Sequence, residues 1–333
     1  MAEPPVTPVD SSPFHAGEQA VQERLGVRER MERGGRRMIR DYMPKEHREF
    51  FAQLPFLVVG SLDAEGRPWA SLLSGTPGFV TAPTARSLIV GQLPSPGDPL
   101  LQNLRPAAPL GVLGIELETR RRNRANGRVR WLSEHGFELS VEQSFGNCKQ
   151  YIQARSPTAA RRRAAPAVEP PELLGATLTA RALELLAACD TAFLATASAE
   201  ALRGGAEGRE GVDVSHRGGA PGFIRAQGGS PSRLVIPDFY GNFMFNSFGN
   251  IEVNPRAGLV ASDFTSGDLL SLTGSARVIW DGPRLAAYPG AERLLEIDVQ
   301  AHVLLPGALP QTWSSPEFSA QLADTGPWLD APP

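Results

Sequence analysis

Three stretches of the chain concentrate side chains able to bind or act on a ligand. In Asp213-Val214-Ser215-His216-Arg217-Gly218-Gly219, small, polar and charged residues alternate in a strand-like run that ends in glycines. Hydroxyl, imidazole and guanidinium groups from Ser215, His216 and Arg217 beside accessible backbone suit a phosphate or a flat heteroaromatic ring. The same pattern also fits a strand end that faces water. In Asp238-Phe239-Tyr240-Gly241-Asn242-Phe243-Met244-Phe245-Asn246-Ser247-Phe248-Gly249-Asn250, aromatics alternate with Gly and Asn. Phe245, Asn246, Ser247 and Asn250 could wall a planar cofactor and hydrogen-bond its polar edge, although alternating Phe also describes plain core. A short helix is expected here, ending before Pro255. The third stretch, Arg120 to Arg130, sets six arginines around Asn126-Gly127, a strong hairpin signal. Arg122 is its candidate anion contact; a solvated hairpin or a patch for an acidic partner protein is the alternative.

No Walker P-loop, Gly-x-Ser-x-Gly elbow or HExxH helix occurs. The five histidines are scattered, which predicts no metal centre. These absences point to an organic cofactor that carries the chemistry, or to no chemistry. Cys148 reads as a buried structural thiol and Cys189 lies in the other half, so no disulfide framework is expected. His15 and His47 fall in helical segments, with capping or solvent-facing roles.

The elements that position these residues are written twice. Gly75-Thr76-Pro77-Gly78-Phe79 recurs as Gly219-Ala220-Pro221-Gly222-Phe223. The apolar runs 56–62 and 87–90 recur as 191–197 and 233–236, and Asn126-Gly127 through Trp131 is echoed by Thr273-Gly274 through Trp280. Four matches in one order indicate a tandem duplication, a pseudo-dimer in one polypeptide. With 34 Gly and 30 Pro in 333 residues, short strands are favoured over long helices. The expected class is mainly β with flanking helices (α+β). Each repeat reads as one helix and about six strands, closed into a small barrel or sandwich.

The boundaries follow composition. Residues 1–44 form a partly helical extension, Pro-rich to 13 and then two helical pieces broken at Gly34-Gly35. Repeat one spans 45–155, a linker 156–175, repeat two 176–305 and an irregular tail 306–333. An insertion at 199–211 replaces the tight turn at Asp63–Gly66 with a longer loop. A net charge of −3 argues against nucleic acid, and no apolar stretch approaches the roughly 20 residues that span a bilayer. The start lacks the basic and apolar regions of a signal peptide, so a cytoplasmic protein is expected.

Phe14-His15-Ala16-Gly17-Glu18 with Gln22, Gly66-Arg67-Pro68-Trp69-Ala70-Ser71, and Ser144-Phe145-Gly146-Asn147-Cys148-Lys149-Gln150-Tyr151-Ile152 resemble the pyridoxamine 5'-phosphate oxidase-like flavin-binding proteins. Ser215 to Gly219, Pro237-Asp238 and Gly241-Asn242 resemble the double-repeat branch of that group. The resemblance covers about 14–305 and implies two tandem six-stranded split β-barrels with FMN between them. It implies an oxidoreductase or electron-transfer protein whose partner is a small substrate or a ferredoxin-reductase-like module. Arg233-Leu234-Val235-Ile236 resembles the family's flavin strand, so Arg233 and Val235 become candidate cofactor contacts. Where that strand usually ends in Lys, this chain has Asp238. Phe245-Asn246-Ser247 matches the following segment without its basic phosphate partner. Arg217, or an arginine from 120–130 crossing from the other repeat, would replace that partner at one competent site. The alternative is a binding protein without turnover, holding haem through His216 or His302, another flavin-like ligand, or a partner protein. Whether the pseudo-dimer pairs again into a homodimer stays open.

Overall fold

The computed structural model describes residues 12–161, 171, 173–201, 210–227 and 232–329. The Pro-rich start to residue 11, the centre of the 199–211 insertion and half of the 156–175 linker (162–170 and 172) lie outside the described residues. Two helices open the chain, α1 (Ala16–Arg24) and α2 (Arg28–Met38). Their break falls at Gly26, with φ +67°, and Gly34-Gly35 lies inside α2. Gly35 is there for proximity: a Cβ on it would stand 2.5 Å from the Phe14 ring. His15 caps α1 as expected, its Nδ1 accepting from the Gly17 N–H at 3.1 Å while Glu18 accepts from the His15 N–H. α3 (Lys45–Ala52) follows Pro44. His47 within it is buried, its Nδ1 3.1 Å from Ser144 Oγ, and does not face solvent.

Repeat one then forms β1 (Phe56–Leu62), β2 (Pro68–Ser74), β3 (Val80–Thr84), β4 (Ser87–Val90), α4 (Leu100–Asn103), β5 (Pro109–Glu116), β6 (Arg121–Ser133) and β7 (Gly136–Gly146). After β8 (Pro157–Arg161), repeat two forms α5 (Ala180–Ala188), β9 (Thr191–Ala197), β10 (Val212–Gly218), β11 (Arg225–Ala226), β12 (Arg233–Asp238), α6 (Asn246–Val253), β13 (Arg256–Ser262), β14 (Leu269–Ile279) and β15 (Arg293–Leu305). Each repeat is a seven-stranded sheet, one strand more than expected, with antiparallel neighbours. The orders are β2-β1-β5-β6-β7-β4-β3 and β10-β9-β13-β14-β15-β12-β11, which is the same order twice.

The registers agree residue by residue. Gly60 opposes Gly111 and Ala195 opposes Gly258. Both long hairpins carry a bulge at the same place, between Asn126 and Gly127 and between Thr273 and Gly274. The expected Asn126-Gly127 hairpin turn is therefore a mid-strand bulge. A Cβ on Gly127 would meet Ser140 O at 1.9 Å, and one on Gly274 would meet Asp298 O at 2.1 Å. The repeated pentapeptide also does one job twice. Gly78 and Gly222 have φ of +99° and +81°, and a side chain on Gly75 or Gly219 would strike the ring of Phe79 or Phe223.

Each sheet keeps its own apolar core, and a third core lies between them. It joins Phe56, Val58, Leu72, Leu113 and Ile115 of repeat one to Phe193, Val214, Val260 and Leu269 of repeat two. Backbones cross closely here. A Cβ on Gly111 would lie 2.4 Å from Val212 O, and one on Gly258 would lie 2.3 Å from Pro68 O. The tail is not wholly irregular, because β16 (Gln311–Trp313) pairs with β8. No described helix is long and apolar enough to cross a membrane.

Candidate functional site

The end of β10, the end of β12 and the N-terminus of α6 meet β6 and the segment after β7 from the other repeat. Between them is a cleft of about 130 Å3 that opens to solvent. Arg122, Arg124, Asn147, Cys148 and Tyr151 come from repeat one, and Ser215, His216, Arg217, Asp238, Phe245, Asn246 and Ser247 from repeat two. Gly218 lets the two halves touch, since a Cβ on it would lie 2.0 Å from Tyr151 O.

The three guanidiniums differ in what they can still bind. Arg124, 2% exposed, donates to Asp213 Oδ1 at 2.7 Å, to Val214 O at 3.0 Å and to Ser215 Oγ at 2.6 Å. Arg217 is committed to Asp238, with its guanidinium over the Phe248 ring at 5.0 Å. Asp238 also pairs with Arg293 at 3.0 Å, and burial pushes its carboxyl up against the pull of both arginines. Arg122 donates its Nε to Cys148 O, and no carboxylate among the described residues pairs with its guanidinium. Burial lowers it to about 10, so it stays charged at neutral pH. With the other two arginines neutralised, Arg122 leaves the cleft positive.

His216 is buried against Phe193 (centroids 5.7 Å apart), and its Nε2 has no partner among the described residues. Burial first, then Arg122 and Arg217, hold it well below its ordinary value, so the imidazole is neutral. Ser247 Oγ lies 3.2 Å from Ser215 Oγ at the start of α6. Phe245 caps that helix in the left-handed region (φ +60°), with no side-chain hydrogen bond to its first amides. Phe243 and Tyr151 also have positive φ, near +60° and +57°. Left-handed backbone costs a non-glycine residue about 1–2 kcal/mol, so three aromatics are held strained around one cleft. Tyr151 stacks on Phe239 at 4.8 Å, and Arg30 of α2 lies over Phe243 at 4.7 Å.

The N-terminal extension buttresses this arrangement. Glu18 accepts from Asn246 Nδ2, and Gln22 Nε2 donates to Met244 O at 3.0 Å. Burial, reinforced by nearby Asp213, pushes Glu18 up to about 7. α1 reaches α6 this closely because Gly17 faces Gly249; a Cβ on Gly17 would stand 2.1 Å from Gly249 O.

Of the residues expected in a site, Ser215, His216, Arg217, Phe245, Asn246, Ser247 and Arg122 line the cleft together. Arg233 does not. It pairs with Asp298 at 2.5 Å on the surface, five residues or about 16 Å along β12 from Asp238. Val235 packs in the repeat-two core. Asn250 lies one turn inside α6, donating to Thr196 Oγ1 at 3.1 Å and Asp213 Oδ2 at 2.9 Å. His302 is fully buried, 2.8 Å from Gly175 O and outside the cleft. Cys148 is half-buried and lines the cleft, against the expectation of a buried structural thiol. Arg124 and the Asp213 that fixes it carried no separate signal, because their partnership forms only when the repeats meet. No group of three or more potential metal ligands occurs among the described residues.

The second repeat-related position is filled. By register, Leu72 and Leu73 stand where His216 and Arg217 stand, Leu269 where Arg122 does and Leu305 where Asn147 does. All four leucines are buried.

No protein-family model matches the chain. No curated protein matches it either. The chain is similar to HupZ of Group A Streptococcus at 13% identity and a TM-score of 0.30, over 40% of this chain and 98% of HupZ. It is also similar to a candidate pyridoxamine 5'-phosphate oxidase of Lactobacillus delbrueckii at 18% identity and a TM-score of 0.29, over 38% of this chain and 93% of that one.

Proposed function

We propose that this chain is an FMN-binding flavoprotein of the pyridoxamine 5'-phosphate oxidase-like, tandem split-barrel kind, acting as an oxidoreductase or electron-transfer protein. The observation that carries the reading is the Arg122 guanidinium, which no described carboxylate neutralises, in a cleft walled by aromatics at the uncapped N-terminus of α6. A phosphate near −2 matches that positive group, the Ser215 and Ser247 hydroxyls and the free first-turn amides. Phe245, Phe243 and Tyr151 would cover the apolar faces of the ring, and Asn246 and Asn147 its polar edge. Neutral His216 adds a hydrogen-bonding nitrogen without adding charge. When bound, FMN supplies the redox chemistry, so the chain needs no nucleophile. The chain has no dinucleotide fingerprint, so a diffusible reductant or a reductase-like partner delivers electrons.

The test is the absorption spectrum of the purified protein after FMN addition and desalting. A retained flavin at about one per chain is expected, because the second position is filled with leucine. No retained chromophore would sink the reading. One observation favours a second reading: His216 is neutral, buried and unpartnered in the cleft, the form an axial haem ligand needs. A Soret band lost in His216→Ala would move the assignment there.

A further inference from the structure

A second cavity, sharing no lining residue with the first, opens where the start of β9, the end of β13 and the tail meet. Its volume is about 370 Å3, far more than one water fills. Arg155 is 7% exposed; it donates to Asp190 Oδ2 at 2.5 Å and lies over Phe264 at 4.5 Å. Its Nη1 is buried with no partner among the described residues. Trp313, held edge-on by Phe56 and Phe264 at 5.6 and 5.5 Å, buries an indole N–H with no acceptor. Ser262 Oγ is likewise buried and unpaired. Buried donors without acceptors are rare, and here three lining residues of one cavity carry them.

The lining carboxylates, in contrast, are already in use. Asp190 accepts from Arg155 and from Thr191 Oγ1 at 2.8 Å. Asp263 accepts from the Thr265 N–H at 2.8 Å and from Ser266 Oγ at 2.7 Å, and faces Arg181 at 3.6 Å. Arg155 is neutralised by Asp190, and Arg181 is shared by Asp263 with Asp268 at 2.6 Å and Glu184 at 3.6 Å, so the walls carry no spare positive charge to attract an anion. Burial keeps the Cys189 thiol protonated. The walls therefore offer donors and aromatic surface.

We infer that this cavity binds a small uncharged molecule with a carbonyl acceptor on a flat apolar body, of the carboxamide or lactam class. The carbonyl takes the Arg155 and Trp313 N–H groups, and the body lies against Phe264. The inference does not depend on flavin in the first cleft.

The test follows the indole N–H resonance of Trp313 in the 15N-labelled full chain, identified by its absence in Trp313→Phe. The other four tryptophans are internal controls. Benzamide, added to millimolar concentration, is expected to shift that resonance saturably. Ser262→Ala, which leaves the indole in place, is expected to weaken binding several-fold. Benzoate should shift it far less. Tighter binding of benzoate than of benzamide would overturn the uncharged class. No shift with either would mean that the cavity holds only water, and the inference would fail.

Discussion

Removing a guanidinium reads differently when a buried carboxylate waits behind it. Arg122 has no such partner, so Arg122→Ala should cost little stability while weakening FMN binding about 10- to 100-fold, the worth of one charged hydrogen bond. Arg124→Ala instead leaves Asp213 buried without a charge partner, held only by the Asn126 and Asn250 amides, which costs about 3–5 kcal/mol. Arg217→Ala does the same to Asp238, apart from its contact with Arg293. Flavin titration beside urea unfolding separates the cases. Glu18 yields a pH prediction. Its folded value near 7 lies above its ordinary 4.5, so the native state holds more protons than the unfolded chain between those values. Stability from this group is present in full below 4.5 and fades as pH rises through 7. Glu18→Gln should remove that decline, seen as unfolding midpoints at pH 5 and 8 that draw together. Ser215, His216 and Arg217 were legible because polar residues interrupt an apolar strand beside glycines. Asp213–Arg124 was not, since neither sequence neighbourhood names its partner in the other repeat.

Elements explain why some glycines were misread. Asn126-Gly127 satisfies every local rule for a turn, yet Gly127 is required because the Ser140 carbonyl occupies its Cβ position. A sequence records that a side chain is absent. It does not say whether a turn or a neighbouring backbone forbids it. The pentapeptide was read correctly as a repeat because a positive-φ glycine and a ring-shielded glycine sit three residues apart in both copies. The seventh strand of each sheet was missed because β11 is only two residues long and β3 carries a proline. The contact of α1 with α6 was equally invisible, resting on one glycine in each. A Cβ on Gly249 would stand 2.5 Å from Glu18 Cα, which is backbone and cannot yield. Gly249→Ala should therefore destabilise the protein by about 1–3 kcal/mol and lower flavin retention by shifting the α6 N-terminus. Urea unfolding and the desalted flavin spectrum report the two effects separately.

At the scale of the molecule, two sheets of one topology enclose a shared core, and only one of the two repeat-related positions is a polar cleft. Calorimetric titration with FMN should give a stoichiometry near one. A value near two would mean that Leu72, Leu73, Leu269 and Leu305 do not close the second position. The repeat was legible because it leaves matched words in the chain, whereas the filling of the second position was half legible, through the missing aromatic-Asn cluster after β4. The crossings at Gly111 and Gly258 carry a consequence for how such a chain changes over time. Two identical chains packed through them would bear every substitution in duplicate, so that reshaping one pocket reshapes its twin. Joined in one polypeptide, the copies mutate independently: Trp69 stands beside Gly258 where Asp213 stands beside Gly111.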